Sequence, residues 1–310
     1  MPYQLQPIND AVRRDPAEFM ARCDEEFQQK VAHAADIICQ NMKNSPVVLL
    51  SGPSGSGKTT TAGKIREELE RRGVGTYAVS MDDYFLGKAL KEQPRTPDGQ
   101  IDYESPLMMD LKLLDEHFTR LTRGEEIVIP HFEFARQMRN DSKGTPLKLG
   151  KDQVAVFEGI HALNTAITGG HPEATRLYIS ARSNVLEGET LRFKGTWMRL
   201  TRRAVRDYNF RGTDVKGTLD MWANVRRGEK LYISPYKNSA HYLFDSSLPY
   251  EVSVMASYAK PLLAAIPEEN QRRHEMLDLV SAFDHFLPID PKTVPADSLI
   301  REFIGPKERE

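Results

Sequence analysis

The chain has 310 residues, 40% apolar and 28% charged, with 42 Lys and Arg set against 44 Asp and Glu. This is the balance of a soluble globular protein with material for a sizeable core, and it excludes a global basic field that would bind nucleic acid or a membrane surface. Cys23 and Cys39 fall in no CxxC or Cys/His ligand pattern, no apolar run reaches membrane-spanning length, and the start "MPYQLQPINDAVRRD" lacks a signal-peptide core, so a reducing, cytoplasmic setting is predicted.

In chain order, residues 1–45 read as a helical extension, with Phe27, Val31, Ala34, Ile38 and Met42 on one apolar face. From Val47 the pattern changes. "PVVLL" is a continuous apolar run of the kind buried on both faces of a parallel sheet. A glycine-rich loop and a helix to about Arg72 follow. "GTYAVSM" (Gly75–Met81) reads as a second buried strand, and residues 86–104 as a polar loop broken by Pro94, Pro97 and Gly99. A helix is expected over about 107–123. "EIVIPHFEF" is a short strand, a proline and a second extended piece; "QVAVFEG" and "TRLYISA" are further buried strands. A basic helical stretch spans 196–227, "HYLFDSS" is a last strand, and helices close the chain. Met276, Val280, Phe283 and Leu287 in the last of these serve packing or a subunit contact, which leaves a homo-oligomer open. Trp222 and Tyr232 read as core. Strands alternating with helices predict an α/β fold with a central, mostly parallel sheet and helical additions at both ends. The expected division is a 1–45 extension and a 46–310 domain, with a lid at about 195–230 and C-terminal helices at about 256–304.

The loop carries the chemistry. Gly52-Pro-Ser54-Gly55-Ser56-Gly57-Lys58-Thr59 matches GxxxxGK[ST], placed after a buried strand and opening a helix. Glycines let the backbone curl so that several N–H groups face one anion, and the helix N-terminus, with Thr60 in its first turn, adds partial positive charge. Lys58 is expected on the β- and γ-phosphates of ATP and the Thr59 hydroxyl on Mg²⁺. Neither an N/T-K-x-D guanine motif nor an LSGGQ-type signature is present. Kinases of small molecules remain as the large class. They need a base near an acceptor hydroxyl and a carboxylate for the metal. Asp82 and Asp83 follow the second strand, and Glu158 closes the apolar strand "VAVFEG", both at strand carboxyl ends, where ligands bind in such sheets. Asp82 is the candidate base or metal-side acid, and Glu158 the metal carboxylate. Arg199, Arg202, Arg203, Arg206 and Arg211 bring five charges into "RLTRRAVRDYNFRG" with few acids beyond Asp207, and are expected to form a mobile cationic lid over the triphosphate. His161 lies near the site, for substrate or for packing. Arg136 and Arg139 lie in a loop where they could meet a phosphorylated acceptor.

These pieces in this order resemble the uridine kinase/phosphoribulokinase family, closest to its bacterial uridine-kinase-like branch. The marks are "GPSGSGKTT", "SMDDYF", "YESP" with Asp110 four residues after its proline, "IPHFEF", "FEGI" and "RLTRRAVRDYNFRG", within about Val47–Gly305. The resemblance implies a P-loop fold with a helical lid. It implies Asp82 as base, with Glu158 supporting the metal, Glu104 on sugar hydroxyls with Asp102 close by, Arg203 on substrate, and Arg206 and Arg211 on ATP phosphates. It also exposes departures. Phe132 stands where uridine kinases stack a tyrosine, Gln137 where a histidine reads the pyrimidine edge, Thr213 for an arginine and Met221 for a glutamine. The expectation is therefore ATP- and Mg²⁺-dependent transfer to a small-molecule hydroxyl, with a ribonucleoside leading. A sugar or sugar-phosphate acceptor, or an ATP-binding regulator without transfer activity, is the alternative.

Overall fold

The structure, a computed structural model, describes residues 2–87 and 90–307. At its centre is a five-stranded sheet built from β1 (Val47–Ser51), β2 (Gly75–Ser80), β3 (Gln153–Glu158), β4 (Thr175–Ser180) and β5 (Tyr242–Asp245). The strands lie in the order β5-β4-β1-β3-β2 and every pairing is parallel. Along β1 the side chains alternate between two cores. Val48 and Leu50 face one, while Val47 and Leu49 face the other. Both faces are covered, so the strand reads as an unbroken apolar run.

One face is covered by α1 (Leu5–Arg14), α2 (Pro16–Asn41), α3 (Lys58–Arg71), α5 (Gly195–Phe210), α6 (Val215–Gly228), α7 (Glu251–Ala264) and α8 (Arg273–Phe283), with α4 (Leu111–Thr122) on the other. Asp15 caps α2 by accepting from Ala17 N at 2.9 Å and Glu18 N at 3.0 Å, with Pro16 pre-set at the first helical position. Phe27, Val31, Ala34 and Ile38 are buried in the same core as α7 and α8, and Met42 packs against it. The first residues also join the body through Tyr3–Gln4, paired parallel to Val185–Leu186.

Two expectations change. The Gly75–Ser80 strand is an edge, paired only with β3, and Tyr77 is 41% exposed. An uncharged sequence does not distinguish edge from centre. The fourth helix begins at Leu111, because Pro106–Met108 forms a separate turn and Asp110 caps α4 by accepting from Leu113 N at 3.1 Å. Among the described residues no helix is long and apolar enough to cross a membrane.

Candidate active site

The glycine loop leaves β1 and turns into α3. Gly52 passes so close to β4 that a Cβ would lie 2.0 Å from the Ile179 carbonyl oxygen. Gly55 (φ +73°) and Gly57 (φ +78°) adopt backbone that L side chains resist. Donors behind the loop take its carbonyls. Arg199 Nη1 donates to Ser54 O at 3.2 Å, Arg202 Nη1 to Gly55 O at 3.3 Å and Ser246 Oγ to Ser56 O at 2.5 Å. In a trans peptide the N–H opposes the C=O, so the Gly55 and Gly57 N–H groups are directed away from those donors. The buried Ser56 hydroxyl has no hydrogen-bond partner among the described residues. This cradle of amides, hydroxyls and Lys58 fits a chain of phosphates. Lys58 Nζ donates to Pro53 O at 3.4 Å. Burial pushes its pKa down against the opposing pull of Glu158, Glu302 and Asp82.

Sheet register brings the acids to this loop. Leu50 and Ser80 both pair with Glu158 on the intervening strand, and Asp82 follows Ser80 by two residues in a turn over Met81–Tyr84. Glu158 Oε1 lies 3.5 Å from the Thr59 hydroxyl. Asp82 is exposed by surface area yet closely surrounded by protein. That surrounding mass raises its pKa, with Lys58 opposing and Asp83 reinforcing. Glu158 is raised by burial first, again opposed by Lys58. Among the described residues no three His, Cys, Asp or Glu converge as a ready-made metal cage. Oxygen donors from a hydroxyl and one or two carboxylates, completed by phosphates, are the set that suits Mg²⁺, so Thr59, Glu158 and Asp82 fit that ion.

The arginine stretch differs most from expectation. Met198, Leu200, Ala204 and Val205 of α5 are core, so the helix is packed and not a free cover. Its charges are matched by acids distant in sequence. Arg199 pairs with Glu229 at 2.8 Å, and fully buried Arg202 pairs with Glu251. Arg203 Nε meets Asp207 at 3.1 Å and its Nη1 donates to Ser54 Oγ at 2.9 Å. Arg206 lies 3.6 Å from both Asp207 and Glu302, its Nε buried without a hydrogen-bond acceptor among the described residues. Arg211 reaches Asp207 at 3.4 Å from an exposed position. Arg199 and Arg202 brace the loop from behind through its carbonyls, while Arg203 reaches the Ser54 hydroxyl, Arg206 lies beside Glu302 and Arg211 acts on Asp82.

Beside the cleft stands a second acidic group. Asp102 is 1% exposed. Its oxygens accept from Arg227 Nη2 at 2.5 Å, Glu104 N at 3.2 Å and Tyr232 Oη at 3.0 Å. The expectation that Asp102 binds substrate is therefore corrected: saturated and covered, it holds the loop that presents Glu104. Tyr232, expected as core, is part of this wall. Burial raises the Glu104 carboxyl to about 7, opposed first by Arg203. His161, at 1% exposure, lies behind this pair near backbone of Tyr232 and Glu104. Burial lowers it to about 4, so it is a neutral packing group and not a surface contact.

A pocket of about 230 Å³ is lined by Phe85, which follows the Asp82 turn, by Tyr103, which precedes Glu104, and by Gly87, Gln93, Met108, Phe132, Phe134 and Gln137. The Phe132 ring meets Phe134 edge-on at 5.1 Å and Phe85 at 6.0 Å. Asp83 Oδ1 accepts from Phe132 N at 3.1 Å, which ties the catalytic-side turn to the pocket wall. Gln137 is the one non-glycine residue with positive φ (+52°) among those described, and a Cβ on Gly87 would lie 2.3 Å from its carbonyl oxygen. Arg139 is engaged with Asp110 at 2.8 Å and Arg136 with Glu133 at 3.1 Å. Phe85, Gln93, Tyr103 and Phe134 were not anticipated. Phe85, in the same "MDDYF" run as Asp82, was the nearest signal.

Residues 47–185 match the model of the Phosphoribulokinase / Uridine kinase family. A uridine kinase of Halobacterium salinarum is 26% identical over 192 residues, 62% of this chain and 76% of that protein. A uridine kinase of Staphylococcus aureus is 26% identical over 200 residues, 64% of this chain and 86% of that protein. Among solved structures, a candidate fructose transport system kinase from Silicibacter sp. TM1040 superposes with a TM-score of 0.52 at 19% identity, over 69% of this chain and 98% of that one. This last likeness bears on the fold alone, and it is the P-loop kinase fold.

Proposed function

We propose that this chain, a kinase of the phosphoribulokinase/uridine kinase family, transfers the γ-phosphoryl group of ATP to a hydroxyl of a neutral small molecule with a flat ring, a ribonucleoside 5′-hydroxyl being the leading acceptor. One observation carries the reading: an aromatic pocket, with no charged residue among the described residues that line it, is walled by Phe85, which follows the Asp82 turn, and by Tyr103, which precedes Glu104. Rings stack there, while Gln93 and Gln137 offer amides to a ring edge.

In this reading Gly52–Thr60 and Lys58 hold the phosphates, and Arg206 and Arg211 neutralise charge on the transferring group. Arg203, at the loop, serves the acceptor side with Glu104. Asp82 aligns the acceptor hydroxyl and takes its proton. Mg²⁺, held by Thr59, Glu158 and Asp82, would supply charge neutralisation across the phosphates. Glu104 accepts from acceptor hydroxyls, and Phe132 stacks on the ring.

A sugar phosphate suits the pocket less, since Arg136 and Arg139 are both committed to carboxylates. An unphosphorylated sugar would leave the aromatic wall without a partner. The test is ADP release against nucleosides, sugars and sugar phosphates, with Asp82→Asn as the blank. Nucleoside-stimulated turnover should fall ~10²–10⁴-fold in the variant. Stimulation by sugars alone rejects the nucleoside, and no acceptor above blank rejects transfer in favour of an ATP-binding regulator.

A further inference from the structure

We propose that Glu302 is a resident anion of the nucleotide site, a residue that sets nucleotide affinity by occupying donors of the phosphate cradle until a nucleotide displaces it. The inference rests on the reading of Gly52–Thr60 as a nucleotide loop, and it adds a residue from the far end of the chain.

The Thr60 hydroxyl donates to Glu302 Oε2 at 2.6 Å, and the Thr60 backbone N–H donates to the same oxygen at 3.4 Å. The hydroxyl bond has the length of a charge-assisted contact. Glu302 Oε1 lies 3.6 Å from Arg206 Nη1. Its charge also acts on Lys58, which it favours in the cationic form, and on Glu158. Thr60, in the first turn of α3, Lys58 and Arg206 are thus three groups that a nucleotide phosphate would recruit, and one carboxylate addresses all three. Two anions do not share the N-terminus of one helix without mutual repulsion.

Glu302 is held in place by its surroundings. Ile300 and Phe303 are fully buried, and Arg301 donates to Pro291 O at 3.1 Å, to Pro295 O at 3.3 Å and to Val294 O. Leu299 packs on the loop, where a Cβ on Gly57 would lie 2.8 Å from its Cδ1. The backbone stays anchored, so the carboxylate yields by rotation of its own side chain, which keeps only 16% of its surface exposed. A neutral or absent side chain at this position removes the competition and keeps the anchors.

The test is calorimetric titration of ATP and of ADP, without acceptor, into the full-length wild type, Glu302→Gln and Glu302→Ala, each first confirmed as folded by its melting transition. Both variants are expected to bind nucleotide on the order of tenfold more tightly than the wild type, the scale of a single displaced charge contact. Unchanged or weaker binding in both variants, with a wild type that binds, overturns the inference alone. No binding by any of the three overturns the nucleotide reading together with it. Binding gained only on removal of the carboxylate supports it.

Discussion

Glu104 and Phe132 are the two residues at which acceptor choice becomes measurable. Burial holds the Glu104 carboxyl at about 7, so it is largely protonated at pH 6 and ionised at pH 8. A carboxylate gripping hydroxyls must be ionised, so the acceptor KM should fall as pH rises through 7, and Glu104→Gln should raise KM and flatten that dependence. Folding runs the other way. A carboxyl raised above its unfolded value favours the fold fully below the unfolded pKa of ~4.3 and loses that contribution as pH rises through about 7. Acceptor affinity and the melting temperature should therefore move oppositely between pH 6 and 8. At Phe132 the expectation concerns stacking, worth ~1–3 kcal/mol per base. Phe132→Ala should raise the KM for a nucleoside roughly 5- to 150-fold with the ATP KM unchanged; an equal KM for wild type and variant removes the stack. That Lys58, Thr59, Asp82 and Glu158 come together around one loop was legible because a motif and the ends of apolar strands mark their positions. Asp102 and His161 were not, because a sequence carries the residue type and not its burial: the same carboxylate binds substrate when open and braces a loop when saturated.

At the scale of elements, α6 joins both halves of the site. Its last residue, Gly228, touches Glu104 so closely that a Cβ would sit 2.3 Å from the Glu104 Cβ, and Arg227 just before it binds Asp102. Gly to Ala inside a helix ordinarily gains ~1 kcal/mol. Here the methyl must push the Glu104 loop aside. Gly228→Ala should raise the acceptor KM at least tenfold while calorimetric ADP affinity stays at the wild-type value; loss of both together would mean a general collapse. Element boundaries were legible where chain chemistry fixes them, as at Pro16 and the glycine loop. The edge position of β2 depends on which strands lie beside it, a long-range property. The acid partners of the α5 arginines were missed for the same reason, since Glu229, Glu251 and Glu302 come from 30, 49 and 96 residues away (Arg199–Glu229, Arg202–Glu251 and Arg206–Glu302).

The whole molecule converges on Arg202. Its guanidinium and Glu251 are both at 0% side-chain exposure, and it also donates to Ser246 O at 2.9 Å and Gly55 O at 3.3 Å, so one side chain joins α5, α7, the end of β5 and the phosphate loop. Taking one partner away strands a buried charge, which costs ~3–5 kcal/mol, whereas replacing both with apolar groups of similar volume is often neutral. Glu251→Gln should therefore lower the urea midpoint sharply, and the Arg202→Met/Glu251→Met pair should recover most of that loss. Nucleotide binding should not recover with it. The paired variant leaves the Gly55 carbonyl without its donor from behind, and the loop then loses one of the contacts that hold its curl. A double variant with restored stability and weakened ADP binding separates the two tasks of Arg202, holding the core together and holding the loop in its curl. Full recovery of both would mean that the glycines alone set the loop.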